Sequence, residues 1–158
     1  MNHHFIVNKA HALLSIIVPT GVFAITSLYG LYGLLVSNDA SWYGAVFVLG
    51  LVLFLDHGVA LSHPTSVILE ETSVQFHAFK HHHTFNLEDI TRINVRKVSR
   101  GRRLYVRLND ASLLKGRYWL HLDHMSDAQL CLDFFERLMN ERHPKYKNME
   151  AHSFKRVK

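Results

Sequence analysis

The distribution of apolar and polar positions divides the chain at Pro64. Residues 12–62 hold two long apolar runs with almost no charge, whereas residues 67–158 are polar and patterned like a small folded domain. The first run, Ala12 to Val36, is 25 residues long, and its only ionisable side chains are Tyr29 and Tyr32. Because a helix needs about 20 apolar residues to cross a bilayer, this run predicts a transmembrane helix.

The second apolar run predicts a helix that returns beside the first. Trp42 to Leu55 is 14 uncharged residues, and the run extends to Ser62 if Asp56 and His57 are included. The linker, residues 37–41, is so short that the two helices must form a tight hairpin, 12–36 and 42–62. Trp42 and Tyr43 are typical of a membrane interface.

Beyond Val67 the apolar residues recur with a period of two, which indicates antiparallel strands with one buried face. The alternating segments are residues 74–79, 91–96, 103–108 and 117–122. Ser99-Arg100-Gly101 and Asn109-Asp110 supply turn residues between them.

The period then becomes helical. Ser126 followed by Gln129 predicts a capping box, and one apolar stripe follows, comprising Ala128, Cys131, Leu132, Phe135, Leu138 and Met139. Pro144 ends the helix near Arg142 or His143. Cys131, the only cysteine, is expected in the core, and residues 144–158 are expected to form a basic flexible tail.

A two-helix hairpin followed by strands and a C-terminal helix resembles small bacterial membrane proteins with a pleckstrin-homology-like (PH-like) domain. Residues 84–93, Thr-Phe-Asn-Leu-Glu-Asp-Ile-Thr-Arg-Ile, carry the resemblance, together with Leu120-His121-Leu122 and the helix after Ser126. It implies an α+β membrane protein, with a transmembrane hairpin and a PH-like antiparallel β-sheet or barrel capped by an α-helix. Proteins of this kind act in membrane complexes, assembly and stress or antimicrobial resistance.

The expected organisation is therefore an N-terminal segment (1–11), the hairpin (12–62), a PH-like domain (67–143) and the tail (144–158). Lys9 is the only lysine or arginine before residue 67, and the hairpin tip has none. The positive-inside rule then predicts a multi-pass protein of the bacterial cytoplasmic (inner) membrane with both termini cytoplasmic. A cleaved signal peptide is the competing interpretation, but the first run is too long for one and a second span follows.

The domain after Val67 is strongly basic, with 17 lysines and arginines against 11 acidic residues. Five of these bases fall within residues 96–103, at a predicted hairpin turn. The candidate binding residues are Arg92, Arg96, Lys97, Arg100, Arg102, Arg103, Arg107 and Arg117. Such a cluster close to a membrane favours anionic lipid or an acidic partner, although a charge run that only keeps the domain soluble would look the same. No nucleic-acid-binding motif is present, so no nucleic acid is expected.

Asp56 and His57 are the polar residues predicted inside the membrane. A carboxylate at that depth suggests a proton relay, an ion contact or pairing with a partner. The alternative is that Asp56 snorkels to the inner interface or pairs within the assembly.

The 13 histidines raise the question of a metal site. His81, His82 and His83 are adjacent, so on a strand only His81 and His83 would share a face, and no cysteine cluster or HExxH pattern accompanies them. These two are weak candidates, and no metal site is expected from the sequence.

No phosphate-binding loop, nucleophile elbow or paired-acid pattern is present, so neither an enzyme nor a cofactor is expected. The leading hypothesis is a non-enzymatic membrane accessory, scaffold or regulatory protein that binds a membrane-protein partner, a second copy of itself or anionic lipid. The alternative is a small transport or resistance component in which Asp56 and His57 handle a proton or a metal ion. A third hypothesis is a metal-sensing domain at His81–His83.

Overall fold

The computed structural model describes residues 3–37, 40–112 and 114–142. The hairpin tip at 38–39 and the predicted tail at 144–158 lie outside the described residues. The strands are β1 (His3–Ile6), β2 (Ser66–Leu69), β3 (Ser73–Ala78), β4 (His81–Asn86), β5 (Ile93–Val98), β6 (Arg103–Leu108) and β7 (Arg117–His121). The helices are α1 (Lys9–Val36), α2 (Ala40–Phe54, continued by a π-helical turn, Leu55–Val59) and α3 (Ala128–Arg142).

The two predicted apolar helices are present and pack against each other. Each is long and apolar enough to cross a membrane, and only 22% and 6% of their most apolar windows are buried. Their outward-facing apolar side chains are exposed in the structure; Leu35, for example, is 78% exposed. Such apolar exposure is unusual for a core helix of a soluble protein and fits helices surrounded by lipid.

The hairpin is inserted between two adjacent strands of one sheet. Strand β1 precedes α1 and β2 follows α2, and the two strands pair antiparallel, with Phe5 opposite Val67. Both ends of the hairpin therefore meet the same β domain, hereafter the head. The sequence pattern predicts residues 1–11 as a segment separate from this domain, whereas the structure places residues 3–6 in its sheet.

The head consists of two antiparallel sheets with α3 packed against them. The sheets have the orders β1-β2-β3-β4 and β5-β6-β7, and among the described strands no pairing joins β4 to β5 or β7 to β1. The expected β domain is thus present as two open sheets and not as a closed barrel. Its core is aromatic: the ring of Phe76 stacks on Tyr118 at 3.8 Å and lies 6.0 Å from Phe135 of α3.

The local patterns locate most of these elements. The four alternating segments correspond to β3, β5, β6 and β7, and in α3 the residues Cys131, Leu132, Phe135 and Leu138 are buried as the stripe predicts. The capping-box prediction is wrong. The Ser126 hydroxyl accepts a hydrogen bond from Ile6 N–H (3.0 Å), and the Gln129 amide donates to Asp133 (2.7 Å), so Ser126 serves to hold β1.

Candidate functional site

A row of five histidines lies where the hairpin meets the head. We call His11, His57, His63, His121 and His124 the junction cluster. His121 is central: its Nδ1 lies 3.2 Å from Nε2 of His11, and its Nε2 lies 3.3 Å from Nδ1 of His63. At the two ends of the row, His124 stacks on His11 (3.7 Å between ring centroids) and His57 stacks on His63 (4.7 Å).

Three stretches of the chain build this cluster, around residues 11, 57–63 and 121–124. His11 lies in the first turns of α1, His57 in the π-helical turn, His63 just after α2, His121 at the end of β7 and His124 in a short 3-10 turn. Of these, sequence analysis singled out only His57. The high histidine count was the only available signal, because contacts such as His11 with His121 join residues 110 positions apart.

Burial keeps the centre of the cluster neutral. It lowers the pKa of His63 to about 3, with a further lowering from His57, His121 and Arg103. Burial also lowers the pKa of His121 to about 4, assisted by Arg103 and His11. A neutral imidazole has one N–H donor and one free lone pair, so the cluster can relay hydrogen bonds in one direction and can offer nitrogen ligands to a metal.

Asp56, His57 and His63 are brought together at one end of the cluster. One potential ligand atom from each lies within 4.8 Å of the others. The Ser62 hydroxyl lies 2.9 Å from Asp56 Oδ2 and 2.7 Å from the Asp56 carbonyl oxygen, and it can donate to either. His57 Nδ1 is buried without a hydrogen-bond partner, the one such side-chain atom found in the described part of the chain. The two polar residues predicted within the membrane thus sit beside the head.

The second feature is the outer face of sheet β5-β6-β7. Strand register places Arg107 directly opposite Arg117, Tyr105 opposite Trp119 and Arg103 opposite His121. Arg96 of β5 lies opposite Tyr105. We call the face carrying these residues the arginine face. Tyr105 and Trp119 are in contact, with ring centroids 4.6 Å apart.

The other predicted basic residues are located differently. Lys97 points to the opposite side of β5, where it forms an ion pair with Glu136 of α3 (2.8 Å). Arg92 pairs with Asp110 (3.5 Å). Arg100 and Arg102 are exposed in the turn between β5 and β6. The eight candidates are therefore not one patch, and Arg96, Arg103, Arg107 and Arg117 are the four that share a face.

The arginine face adjoins the hairpin at both ends of β7. At the C-terminal end of β7, His121 contacts His11 and His63. The backbone N–H of Trp119 donates to the Ser62 carbonyl (2.6 Å). At the N-terminal end of β7, the loop that precedes the strand faces α2 and its π-helical turn. A groove between them is lined by Val52, Leu53, Leu55, Asp56, Ser112 and Leu114. The face therefore lies beside the apolar helices.

His81 and His83, the weak metal candidates, are not brought together with other ligands in the described structure. His83 Nδ1 lies 2.8 Å from the Tyr118 hydroxyl, which also accepts a hydrogen bond from Gly116 N–H (3.3 Å). His81 is exposed. Burial, followed by the charge of Lys115, lowers the pKa of His83, which favours a neutral imidazole at this half-buried position.

Comparison of the chain with protein-family models, curated proteins and solved structures finds no match. Its function is therefore inferred from its own residues and their geometry.

Proposed function

We propose that the chain is a non-enzymatic protein of the bacterial inner membrane whose head binds the anionic cytoplasmic leaflet through the arginine face. The hairpin is the anchor, and both termini are cytoplasmic. The protein acts as an accessory or scaffold subunit that keeps a PH-like domain at the membrane surface.

Anchoring is supported by the exposed apolar surface of α1 and α2. The proposed orientation of the hairpin in the membrane is supported by charge. The head and Lys9 lie at the same end of the hairpin, and the head carries the excess of basic residues. Lysine and arginine concentrate on the cytoplasmic side of membrane proteins. The PH-like assignment is supported by sheets of four and three antiparallel strands with a C-terminal helix packed on them.

The observation that carries the lipid assignment is the pairing of Arg107 with Arg117 on a face beside the anchor. Like charges directly opposite on neighbouring strands are destabilising, and within the described residues neither arginine has an ion-pair partner. Phosphate groups of lipid would neutralise both. Each basic side chain near an anionic leaflet contributes about 1 kcal/mol of favourable electrostatic binding free energy.

Tyr105 and Trp119 strengthen this proposal. Aromatic side chains with one polar atom concentrate at the membrane–water interface, and these two rings are in contact in the middle of the arginine face. The adjacent loop carries Leu114, which is exposed beside α2. Basic, aromatic and apolar side chains thus occur together on the side of the head that adjoins the anchor.

The test is Trp119 fluorescence of the full chain in lipid nanodiscs. A Trp42→Phe background leaves Trp119 as the only tryptophan, and a quencher on the lipid headgroup reports its proximity to the leaflet. We expect stronger quenching in phosphatidylcholine–phosphatidylglycerol discs than in phosphatidylcholine alone. Arg107→Gln with Arg117→Gln should abolish that difference.

The matched control removes two charges from the exposed surface of α3, as Arg137→Gln with Arg142→Gln. It should retain the dependence on anionic lipid. Equal quenching in both lipid compositions, or equal loss in both double variants, would contradict the proposal and leave an acidic protein partner as the candidate for this face.

A further inference from the structure

We propose that Asp56, His57 and His63 form a binding site for a divalent transition-metal ion of the Zn²⁺ class. The site lies at the junction of hairpin and head. It is independent of the lipid contact, because none of its three ligands belongs to the arginine face.

The donor set determines the class of metal. Two imidazole nitrogens and one carboxylate oxygen suit Zn²⁺ and its first-row neighbours, whereas Mg²⁺ and Ca²⁺ prefer oxygen ligands alone. Three protein ligands leave a fourth position of a tetrahedral Zn²⁺ open. Asp56 is exposed while His57 and His63 are half-buried, so solvent reaches the site from the carboxylate side.

The distances are compatible with this ion after a small adjustment. Zn²⁺ bonds of about 2.0–2.2 Å place tetrahedral ligand atoms roughly 3.4 Å apart. The three ligand atoms lie within 4.8 Å of one another, so the largest required movement is about 1.4 Å. Because Asp56 is exposed, rotation about its side-chain bonds can bring its carboxylate closer to the imidazoles without a shift of the backbone.

Neighbouring residues already orient two of the ligands. The Ser62 hydroxyl lies 2.9 Å from Oδ2 of Asp56 and can donate a hydrogen bond to it. His63 uses Nδ1 to contact Nε2 of His121, whose Nδ1 contacts His11 in turn; this leaves Nε2 of His63 free of hydrogen bonds in the described structure. Metal-bound imidazoles commonly use their second nitrogen in this way, which fixes the ring orientation.

His57 supplies the independent observation. Its Nδ1 is buried and has no hydrogen-bond partner within the described residues. Buried polar atoms are nearly always paired, and an exception points to an ion or a water molecule at that position. The imidazole is also held in place by the edge of Phe23 (5.2 Å) and by stacking on His63.

A metal ion here would connect the end of α2 to the segment that enters β2. His57 belongs to the helix and His63 lies beyond its end, so one ion would tie both to the same point. Binding to the folded state alone stabilises that state. Zn²⁺ is therefore expected to raise the thermal midpoint of the protein.

The experiment is titration of the full chain, free of any tag, with Zn²⁺ in detergent by isothermal calorimetry, with Co²⁺ absorption as a check of coordination geometry. We expect one tight equivalent per chain and a rise in the thermal midpoint. Asp56→Asn, His57→Gln and His63→Gln should each weaken binding at least ten-fold. Because Asp56 is exposed, Asp56→Asn should keep the metal-free thermal midpoint, so this variant decides the question if a histidine variant fails to fold.

The control is His81→Gln with His82→Gln, which removes two exposed histidines from β4. It should leave the tight equivalent unchanged. The proposal is overturned if no tight equivalent exists, if Asp56→Asn binds as the wild type does, or if the β4 variant is the one that loses binding. The titration contains no anionic lipid, so its outcome is separate from that of the quenching experiment.

Discussion

At the scale of single residues, glycines set how closely the two helices of the hairpin approach. A Cβ atom at Gly50 would lie 2.6 Å from the backbone nitrogen of Ser27, and one at Gly30 would lie 2.7 Å from Cα of Phe47. Gly21 has no neighbouring atom within 4 Å of such a Cβ. Small residues in membrane helices permit packing within a hairpin or against a partner, and here Gly30 and Gly50 serve the hairpin itself.

We therefore predict opposite outcomes for two matched substitutions. Gly50→Ala should destabilise the protein by about 1–3 kcal/mol, the usual cost of overpacking, because backbone must move to admit the methyl group. Gly21→Ala should be neutral or slightly stabilising. Thermal unfolding in detergent measures both, and equal midpoints for the two variants would show that the helices do not touch at Gly50.

At the scale of elements, β1 is the strand that sequence patterns did not reveal. It has four residues, too few to show alternation, and it precedes a long apolar run that dominates any local pattern. Tertiary structure makes it a strand, through pairing with β2 and through the two hydrogen bonds between Ile6 and Ser126. The misassigned cap at Ser126 has the same origin, because its partner lies 120 residues away.

The different burial of two neighbouring residues in β1 provides a test that this strand belongs to the head core. Phe5 is 1% exposed and Ile6 is 48% exposed. Phe5→Ala should cost about 3–5 kcal/mol, as buried phenylalanine truncations do, whereas Ile6→Ala should cost about 0.5 kcal/mol, as surface changes do. Urea unfolding followed by circular dichroism compares them, and a small effect of Phe5→Ala would mean that β1 is not packed on the core.

At the scale of the whole molecule, the head half-buries histidines that are more easily protonated once it unfolds. His83 and His77 both have lowered pKa values, chiefly because burial disfavours the charged form. For His83, the charged groups that act on it are Lys115, His82 and His81. A depressed pKa in the folded state means that the unfolded chain binds more protons, so stability is lost as pH falls.

We predict that the thermal midpoint declines as the pH drops below the ordinary histidine value of 6.5. One such proton contributes a slope of at most about 1.4 kcal/mol per pH unit. His83→Gln should reduce the slope measured between about pH 5 and 8 by the contribution of one proton, while His81→Gln, at an exposed position, should leave the slope nearly unchanged. An unaltered slope in His83→Gln would show that this imidazole is equally basic in both states.

The chain by itself determined the features that depend on near neighbours. Run length and composition predicted α1 and α2, a period of two predicted β3, β5, β6 and β7, and a period of 3.6 predicted the buried stripe of α3. These signals can be read from the sequence because burial of one face of an element sets the spacing of apolar residues along a short segment.

Only the tertiary structure decided where the functional groups meet. It inserted the hairpin between β1 and β2, and it placed Arg107 opposite Arg117. It also brought His11 and His121 together with His57 and His63, which lie near the middle of the chain. The physical reason is that each contact depends on strand pairing and packing over tens of residues, whereas the sequence pattern records only which side of an element is buried.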